Sequence, residues 1–259
     1  MADRSVELWP ARLWVVRHGE SAGNVAARAA EHAGVPMIDI EARDQDVPLS
    51  ALGCEQAVAV GRWFGAMPAA ERPTVVACSP YRRAMETAEL LTQAGGLRPV
   101  GPVLDERLRE KELGSLDRFT KAGIVSRFPH EAELRARVGK FYYRPPGGES
   151  WCDVILRLRS FIDSMELQFH GERVLVVAHQ VTVLCLRYVL EQLTEEQILA
   201  IDRAHDVANC SVTSYELVTD AAGRAGLALR AYNFVAPLEA AATPVTKAPD
   251  VPPEPGAGT

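Results

Sequence analysis

Residues 13–24, which read LWVVRHGESAGN, constrain the fold more than any other part of the chain. The first four residues are apolar and rich in bulky and β-branched side chains, which is typical of a strand buried on both faces. Arg17, His18 and Gly19 end this run, and Ser21 is suited to cap a helix that follows. A buried strand that turns directly into a helix is the building unit of α/β sheets. The stretch therefore predicts an α/β domain.

The same turn has the chemistry of an anion site. Gly19 has no Cβ and lets a phosphate approach the backbone, and the start of the following helix favours negative charge. Arg17 offers a planar fork of donors, and Asn24 lies one helical turn beyond Glu20. One ring nitrogen of His18 can attack while a hydrogen bond holds the other. A buried structural histidine is the alternative, and the matches further along the chain favour the anion site.

Length and composition exclude several classes of protein. The 259 residues fit one large α/β domain or two small ones. A net charge of −6 argues against nucleic acid as a partner, and no apolar stretch approaches the ~20 residues of a membrane span. The N-terminus has no secretory signal, and the five cysteines are scattered without a paired motif. We therefore expect a cytoplasmic protein with reduced thiols and no metal site.

Two further apolar runs carry chemistry at their ends. Residues 74–78 predict a second strand, followed by a helix with adjacent arginines, Arg82 and Arg83. These two point about 100° apart, so only one faces a common pocket. Residues 173–178 predict a third strand, and His179 follows it. Since the carboxyl ends of parallel strands meet in one crevice, the second histidine is expected beside the first.

Five motifs in this order resemble those of the histidine phosphatase superfamily, also called phosphoglycerate mutase-like. The resemblance spans about residues 12–235 and is closer to the phosphatase-like branch. It implies a three-layer α/β/α sandwich with a mostly parallel central sheet. The matching segments are RHGES with its asparagine at 17–24, LSALGCEQA at 49–57, SPYRRAMETA at 79–88, the segment 102–116, and GGES at 147–150 with Asp153 and Arg157.

The resemblance implies a phosphomonoester hydrolase that works without metal or cofactor. In that reaction His18 becomes a phosphohistidine, and Glu110, the acid of an L-x-E-x-x-x-G pattern, protonates the leaving oxygen. Glu106 and Glu112 are nearby competitors for this role. The residues implied to bind phosphate are Arg17, Asn24 and Arg83, and His179 is a third catalytic residue, which holds the transferring phosphoryl oxygens. Gly19, Glu149 and Ser150 are expected to support the pocket. We also expect Gln180 to bind phosphate, although the family pattern does not include it.

Gln180 departs from the family pattern, which has glycine at this position. Its side chain either adds a donor or narrows the pocket. Two rivals to the phosphatase therefore stay open. A phosphoglycerate mutase is favoured by the spacing of Lys121 after Glu110, although Leu113 occupies the position of the mutases' tyrosine. A catalytically idle protein that binds a phosphorylated ligand is the second rival, motivated by Gln180.

Three other segments complete the prediction. Residues 118–144 carry seven basic and two acidic side chains. We expect 118–148 to form a lid or specificity insertion that attracts a small anionic substrate, the alternative being a solvated helix face. The acidic stretch 39–46 lacks the glycine and glutamate of an EF-hand and predicts a solvated loop. Residues 1–235 form the domain, and the Pro/Ala-rich residues 236–259 predict a disordered tail. The oligomeric state stays open, with a homodimer as one option.

Overall fold

Six strands form a single sheet in the computed structural model, which describes residues 9–247. The strands β1, β2 and β4 are almost entirely apolar and buried, whereas β5 and β6 also carry polar side chains. Their bounds are β1 Arg12–Arg17, β2 Val75–Cys78, β3 Val100–Leu104, β4 Arg173–Ala178, β5 Val212–Thr219 and β6 Ala225–Phe234. The sheet order is β3-β2-β4-β1-β5-β6. The pairs among β3, β2, β4 and β1 are parallel, and β5 and β6 are antiparallel to their neighbours.

Helices cover both faces of the sheet. Their bounds are α1 Ala22–Ala33, α2 Ala51–Ala66, α3 Arg82–Ala94, α4 Lys121–Arg127, α5 Pro129–Val138, α6 Trp151–Gln168, α7 Gln180–Leu190, α8 Glu195–Ala204 and α9 Ala236–Ala240. In residues 9–247, no helix combines the length and the apolar character needed to cross a membrane.

Alternation along the central strand divides the core into two layers. Leu13 and Val15 of β1 pack in a cluster with residues of α6 and α7, whereas Trp14 and Val16 pack in another with residues of α2 and α3. Successive side chains of a strand point to opposite faces, so a strand that is apolar throughout must be covered on both. This confirms the predicted three-layer α/β/α sandwich with a mostly parallel sheet.

Register places the two predicted histidine turns side by side. Strand β1 pairs with β4 from Arg12 opposite Arg173 to Arg17 opposite Ala178. The next residue on each strand is therefore a histidine, and the backbone N–H of His18 donates to the carbonyl of Ala178 at 2.9 Å. The hydrophobic runs of β1 and β4 end at the same level of the sheet, and the backbone turns after each of them.

Two features of the chain on either side of α3 were not predicted from the sequence. Strand β3 was not expected within the motif segment 102–116, and it forms by parallel pairing with β2. The helix after β2 begins at Arg82, because Ser79 Oγ accepts from the N–H of Tyr81 and keeps residues 79–81 in a turn.

The prediction of a disordered tail from residue 236 is wrong for residues 236–247. Helix α9 forms there, and Leu238 is fully buried in the cluster that contains Phe64. The side-chain amide of Gln56 donates to the Pro244 carbonyl at 2.9 Å and to Thr246 Oγ1 at 3.1 Å. The prediction from composition was wrong because one buried leucine and a few hydrogen bonds are enough to hold the segment in one conformation. Residues 248–259 lie outside the described residues.

Candidate active site

Two buried imidazoles face each other at the carboxyl edge of the sheet. The ring centroids of His18 and His179 are 5.1 Å apart, and the rings meet edge to face at 63°. Both residues are fully buried. The structure therefore brings together two residues that are 161 positions apart, as their places after β1 and β4 require.

The backbone of its own turn orients the ring of His18. Its Nδ1 lies 2.7 Å from the carbonyl oxygen of Gly19, an acceptor, so Nδ1 carries the proton and donates. Nε2 is then the basic nitrogen, and the guanidinium Nε of Arg83 donates to it at 3.3 Å. The nitrogen with the lone pair therefore lies next to a guanidinium, a group that can bind the oxygens of a phosphoryl group.

Close packing against α2 requires glycine at position 19, which the sequence analysis did not predict. A Cβ on Gly19 would come within 2.4 Å of the carbonyl oxygen of Gly53 in α2, and a Cβ on Gly53 would lie 2.0 Å from that of Glu20. The N-terminal part of α2 therefore rests directly on the turn. Ser50 Oγ donates to the Glu20 carboxylate at 2.9 Å and reinforces this contact.

The adjacent arginines of α3 have different environments. Arg83 is only 3% exposed and points to His18, whereas Arg82 lies on the surface and pairs with Glu86 at 2.7 Å. This agrees with the sequence prediction, which selected Arg83. Arg17 is also fully buried, and its Nη1 donates to the carbonyl of Val207 at 2.5 Å.

No residue of the loop 39–46 is buried, which agrees with the prediction of a solvated loop, but Asp44 in this loop reaches Arg83. Arg83 Nη1 donates to the carbonyl of Asp44 at 2.6 Å and to its Oδ1 at 2.9 Å, and Nη2 lies 3.3 Å from Oδ2. The spacing of acidic residues gave no signal for this pairing, because nothing local indicates which residue of a loop meets a helix 39 positions away.

Asn24 lies at the start of α1 and is 3% exposed. It completes a capping box with Ser21, whose backbone N–H donates to Asn24 Oδ1 at 3.0 Å. The amide of Asn209 donates to the same oxygen at 3.3 Å and to the His18 carbonyl at 3.2 Å. The sequence analysis did not single out Asn209, and the structure gives it a supporting place in the site.

Glu110 is the buried acid among its neighbours. It is 2% exposed, and its Oε1 accepts from the N–H of Lys111 at 2.8 Å while Oε2 accepts from that of Val181 at 3.3 Å. Val181 lies in the first turn of α7, two residues after His179. The carboxyl group therefore sits at a helix N-terminus beside the second histidine.

The two competing acids lie elsewhere. Glu106 is exposed in a short 3₁₀ turn. Glu112 accepts from the hydroxyl of Tyr81 at 2.6 Å, and its side chain is 44% exposed. Burial raises the pKa of the Tyr81 hydroxyl, and the hydrogen bond to the Glu112 carboxylate raises it further. The geometry thus favours Glu110, which the motif also selects.

Lys111 is a buried cation next to this acid. Its residue is 8% exposed, and burial, reinforced by the charge of Arg135, lowers its pKa to about 8. The carboxylates of Glu110 and Glu149 raise the pKa of Lys111 and so partly offset this decrease. The sequence analysis did not single out this residue, because lysine in a motif segment is ordinarily a surface group.

Ser79 and Gln180 complete the surroundings of His179. Ser79 Oγ lies 2.8 Å from His179 Nε2, and the ring of Tyr81 meets the imidazole edge-on with centroids 5.2 Å apart. Gln180, the residue in place of glycine, is 6% exposed, and its amide nitrogen lies 3.3 Å from Asp206 Oδ1. Ser79 is a partner that the sequence assigned only to a turn.

Glu149 supports the loop of Glu110, whereas Ser150 works as a helix cap. The Glu149 carboxylate accepts from Arg109 at 2.7 Å, from Arg157 at 3.0 Å and from the N–H of Glu112 at 3.1 Å. Arg157 Nη2 in turn donates to the Glu110 carbonyl at 3.2 Å. Ser150 forms a capping box with Asp153 at the start of α6.

Known proteins share this sequence pattern and fold. The family model described as "Histidine phosphatase superfamily (branch 1)" matches residues 13–225. The protein "Probable fructose-2,6-bisphosphatase C732.02c" of Schizosaccharomyces pombe is 30% identical over 80% of this chain, which spans only 45% of that relative's length. The "2,3-bisphosphoglycerate-dependent phosphoglycerate mutase 2" of Gloeobacter violaceus is 31% identical over 74% of this chain and 81% of its own.

A solved structure agrees with these relatives. That of a mycobacterial glucosyl-3-phosphoglycerate phosphatase superposes with a TM-score of 0.64 at 30% identity, over 86% of this chain and 99% of the other. The family model covers most of the chain, and the motifs from which the resemblance was drawn fall within it. The chain belongs to the histidine phosphatase superfamily, branch 1.

Proposed function

We propose that the protein hydrolyses a small phosphomonoester through a phosphohistidine on His18. The observation that carries the proposal is the meeting of His18 Nε2 and the Arg83 guanidinium at 3.3 Å, beside the His179 ring. Relatives named as phosphatases and bisphosphatases support the reaction class. The names of the relatives give different substrates, so we propose for this protein only that its substrate is a phosphomonoester.

In the first step, His18 Nε2 attacks phosphorus in line with the leaving oxygen. An N–P bond forms and the P–O bond breaks, with its electron pair going to the alcohol oxygen. Glu110, entering as the neutral acid, gives that oxygen a proton. The hydrogen bond from Nδ1 to the Gly19 carbonyl stabilises the positive charge that develops on the ring.

In the second step, Glu110 is a carboxylate and takes a proton from water. The water oxygen attacks phosphorus, the N–P bond breaks, and the ring of His18 recovers its lone pair. Inorganic phosphate leaves, and Glu110 is again protonated. We propose that Arg17, Arg83, Asn24 and His179 hold the three equatorial oxygens in both steps, with Gln180 at the edge of the pocket. These charges would do the work that a metal ion does in other phosphoryl transfers.

Exchange of His18 for alanine is the direct test. We expect H18A to lower kcat with p-nitrophenyl phosphate in the presence of a chelator by roughly a thousandfold or more, because the covalent route is lost. His32→Ala is the matched control, since that histidine is exposed on α1 and distant from the pocket motifs. A rate near that of the wild-type enzyme in H18A would overturn the mechanism.

Phosphoglycerate mutase activity is the second candidate, and the mutase relatives favour it. Leu113 occupies the place of the mutases' tyrosine, which supports hydrolysis instead. The two activities differ in the molecule that accepts the phosphoryl group from His18, which is a sugar acid in a mutase and water in a phosphatase. Labelled phosphoenzyme, chased with 3-phosphoglycerate, would give labelled sugar acid from a mutase and labelled inorganic phosphate from a phosphatase. Failure to label His18 at all would support an idle binding protein.

We further propose that residues 118–148 form a lid beside the pocket and that the enzyme works in the cytoplasm. In support, Arg118 and Phe119 line a cavity together with Asn24 and Arg83. Each of the five cysteines is a free thiol in the structure, which suits a reducing compartment. The substrate is a small phosphorylated molecule, without nucleic acid or membrane as partner.

A further inference from the structure

We propose that Asp44 competes with the substrate phosphate for Arg83, so that each binding event must displace this carboxylate. The inference rests on the proposed function, because it concerns the anion that Arg83 would hold. It assigns a role in substrate affinity to the acidic loop 39–46, which carries no catalytic motif.

Both ends of the Arg83 guanidinium are engaged. Its inner nitrogen, Nε, lies 3.3 Å from His18 Nε2, and its outer nitrogens bind the carboxylate and the carbonyl of Asp44 at 2.6 to 3.3 Å. A carboxylate that meets both Nη atoms occupies the same fork of donors by which arginine holds phosphate. The loop therefore presents to Arg83 the kind of ligand that the substrate would present.

The two anions cannot share these donors. Phosphorus must approach His18 Nε2 along the direction that Arg83 Nε now occupies, so the guanidinium has to turn toward the phosphate oxygens. Its bonds to Asp44 then break or lengthen, and two like charges would otherwise lie side by side. The side chain of Asp44 is 45% exposed and that of Arg83 only 4%, so the aspartate is the partner that can move into water.

Other contacts hold the loop when the Asp44 carboxylate is altered. Arg118 Nη1 donates to the carbonyl of Ile40 at 3.1 Å, and the N–H of Asp46 donates to that of Arg43 at 2.8 Å. The bond from Arg83 to the backbone carbonyl of Asp44 is likewise independent of the side chain. Asp44→Asn therefore removes the competing charge with little change in shape.

The test measures the affinity for inorganic phosphate by isothermal titration calorimetry, with the full chain. We expect D44N to bind phosphate about fivefold more tightly than the wild-type protein, the size of effect that a half-exposed ion pair gives. KM for p-nitrophenyl phosphate should fall by a similar factor. A general loss of structure would weaken binding, so tightening is a result that a merely structural role does not produce.

Asp46→Asn is the matched control. It removes the same charge from the same loop, but its carboxylate pairs with the exposed Arg43 at 2.6 Å and not with Arg83. We expect no comparable change in phosphate affinity. Equal or weaker phosphate binding by D44N, with a wild-type protein that binds phosphate, would overturn the competition and leave the proposed function intact. Absence of phosphate binding by the wild-type protein would overturn both.

Discussion

Lys111 shows how a charged side chain can reduce stability next to the proposed catalytic acid, Glu110. A lysine that is 8% exposed has lost most of its hydration, and the neighbouring Arg135 adds repulsion. The folded state therefore lowers the pKa of Lys111 from 10.5 to about 8. A pKa depressed on folding means that the protonated lysine is less favourable in the folded than in the unfolded chain.

Lys111→Met should consequently stabilise the protein at neutral pH. Below pH 8 both states of the wild-type chain hold the proton, and the full cost of the buried charge, about 3 kcal/mol, is present. Between pH 8 and 10.5 the folded lysine is neutral while the unfolded one stays charged, so the wild-type protein regains this stability. Urea unfolding of both proteins from pH 7 to 10 should show a gain for K111M that shrinks as pH rises. A gain that is constant or grows with pH would contradict the assignment.

Site residues that follow a recognisable sequence pattern could be predicted individually, whereas the residues that contact them from distant loops could not. His18 and His179 lie at the ends of apolar runs, helical geometry indicates that only one of the adjacent arginines faces the pocket, and the family motif selects Arg83. Asp44 and Asn209 reach the site from loops that lie 39 and 185 positions from their partners in the chain. Loop conformation decides those contacts, and no periodicity encodes it.

At the scale of elements, the turn after β1 depends on α2. The backbones of Gly19 and Gly53 approach so closely that neither position has room for a Cβ. This contact explains why the motif LSALGCEQA, which has no catalytic side chain, accompanies the catalytic turn. Its glycine brings the helix onto the backbone of the residues that follow His18.

Gly53→Ala should therefore damage both stability and catalysis. The new methyl group would lie 2.0 Å from the Glu20 carbonyl oxygen, so the helix or the turn must shift. We expect a loss of about 2 to 3 kcal/mol in the free energy of unfolding and a lower kcat, because the His18 ring is held by this turn. Gly226→Ala in β6 is the matched control, since a Cβ there meets nothing within 4 Å. Equal stabilities for the two variants would refute the packing argument.

Strand β3 illustrates why an element can escape sequence prediction. Its sequence, VGPVL, contains glycine and proline, both unfavourable in strand interiors. The strand forms because β2 offers a free pairing edge and β3 lies at the border of the sheet, where proline is tolerated. Buried central strands such as β1 and β4 have no such ambiguity, since continuous apolar runs predict them.

At the scale of the whole molecule, the C-terminal segment 236–247 connects the core to the site. Leu238 is fully buried, and Thr246 contacts Asn209 twice. The Asn209 N–H donates to the Thr246 carbonyl at 2.9 Å, and Thr246 Oγ1 donates to Asn209 Oδ1 at 3.0 Å. Asn209 in turn binds the His18 carbonyl and Asn24. The segment therefore supports the turn after β1 through Asn209 and also through Gln56, whose Oε1 accepts from the N–H of Glu20 at 2.9 Å.

Truncation after Val235 should lower stability and weaken substrate binding together. Loss of the buried Leu238 alone costs about 2 to 4 kcal/mol in the free energy of unfolding, and loss of Thr246 leaves Asn209 less well held against the turn. We expect a lower urea midpoint and a severalfold rise in KM for p-nitrophenyl phosphate. Truncation after Lys247 preserves every contact described here and is the matched control. Leu238→Ala separates the two effects, because it should reduce stability while leaving KM nearly unchanged. If truncation after Val235 altered neither quantity, the packing of this segment would contribute nothing to the folded enzyme.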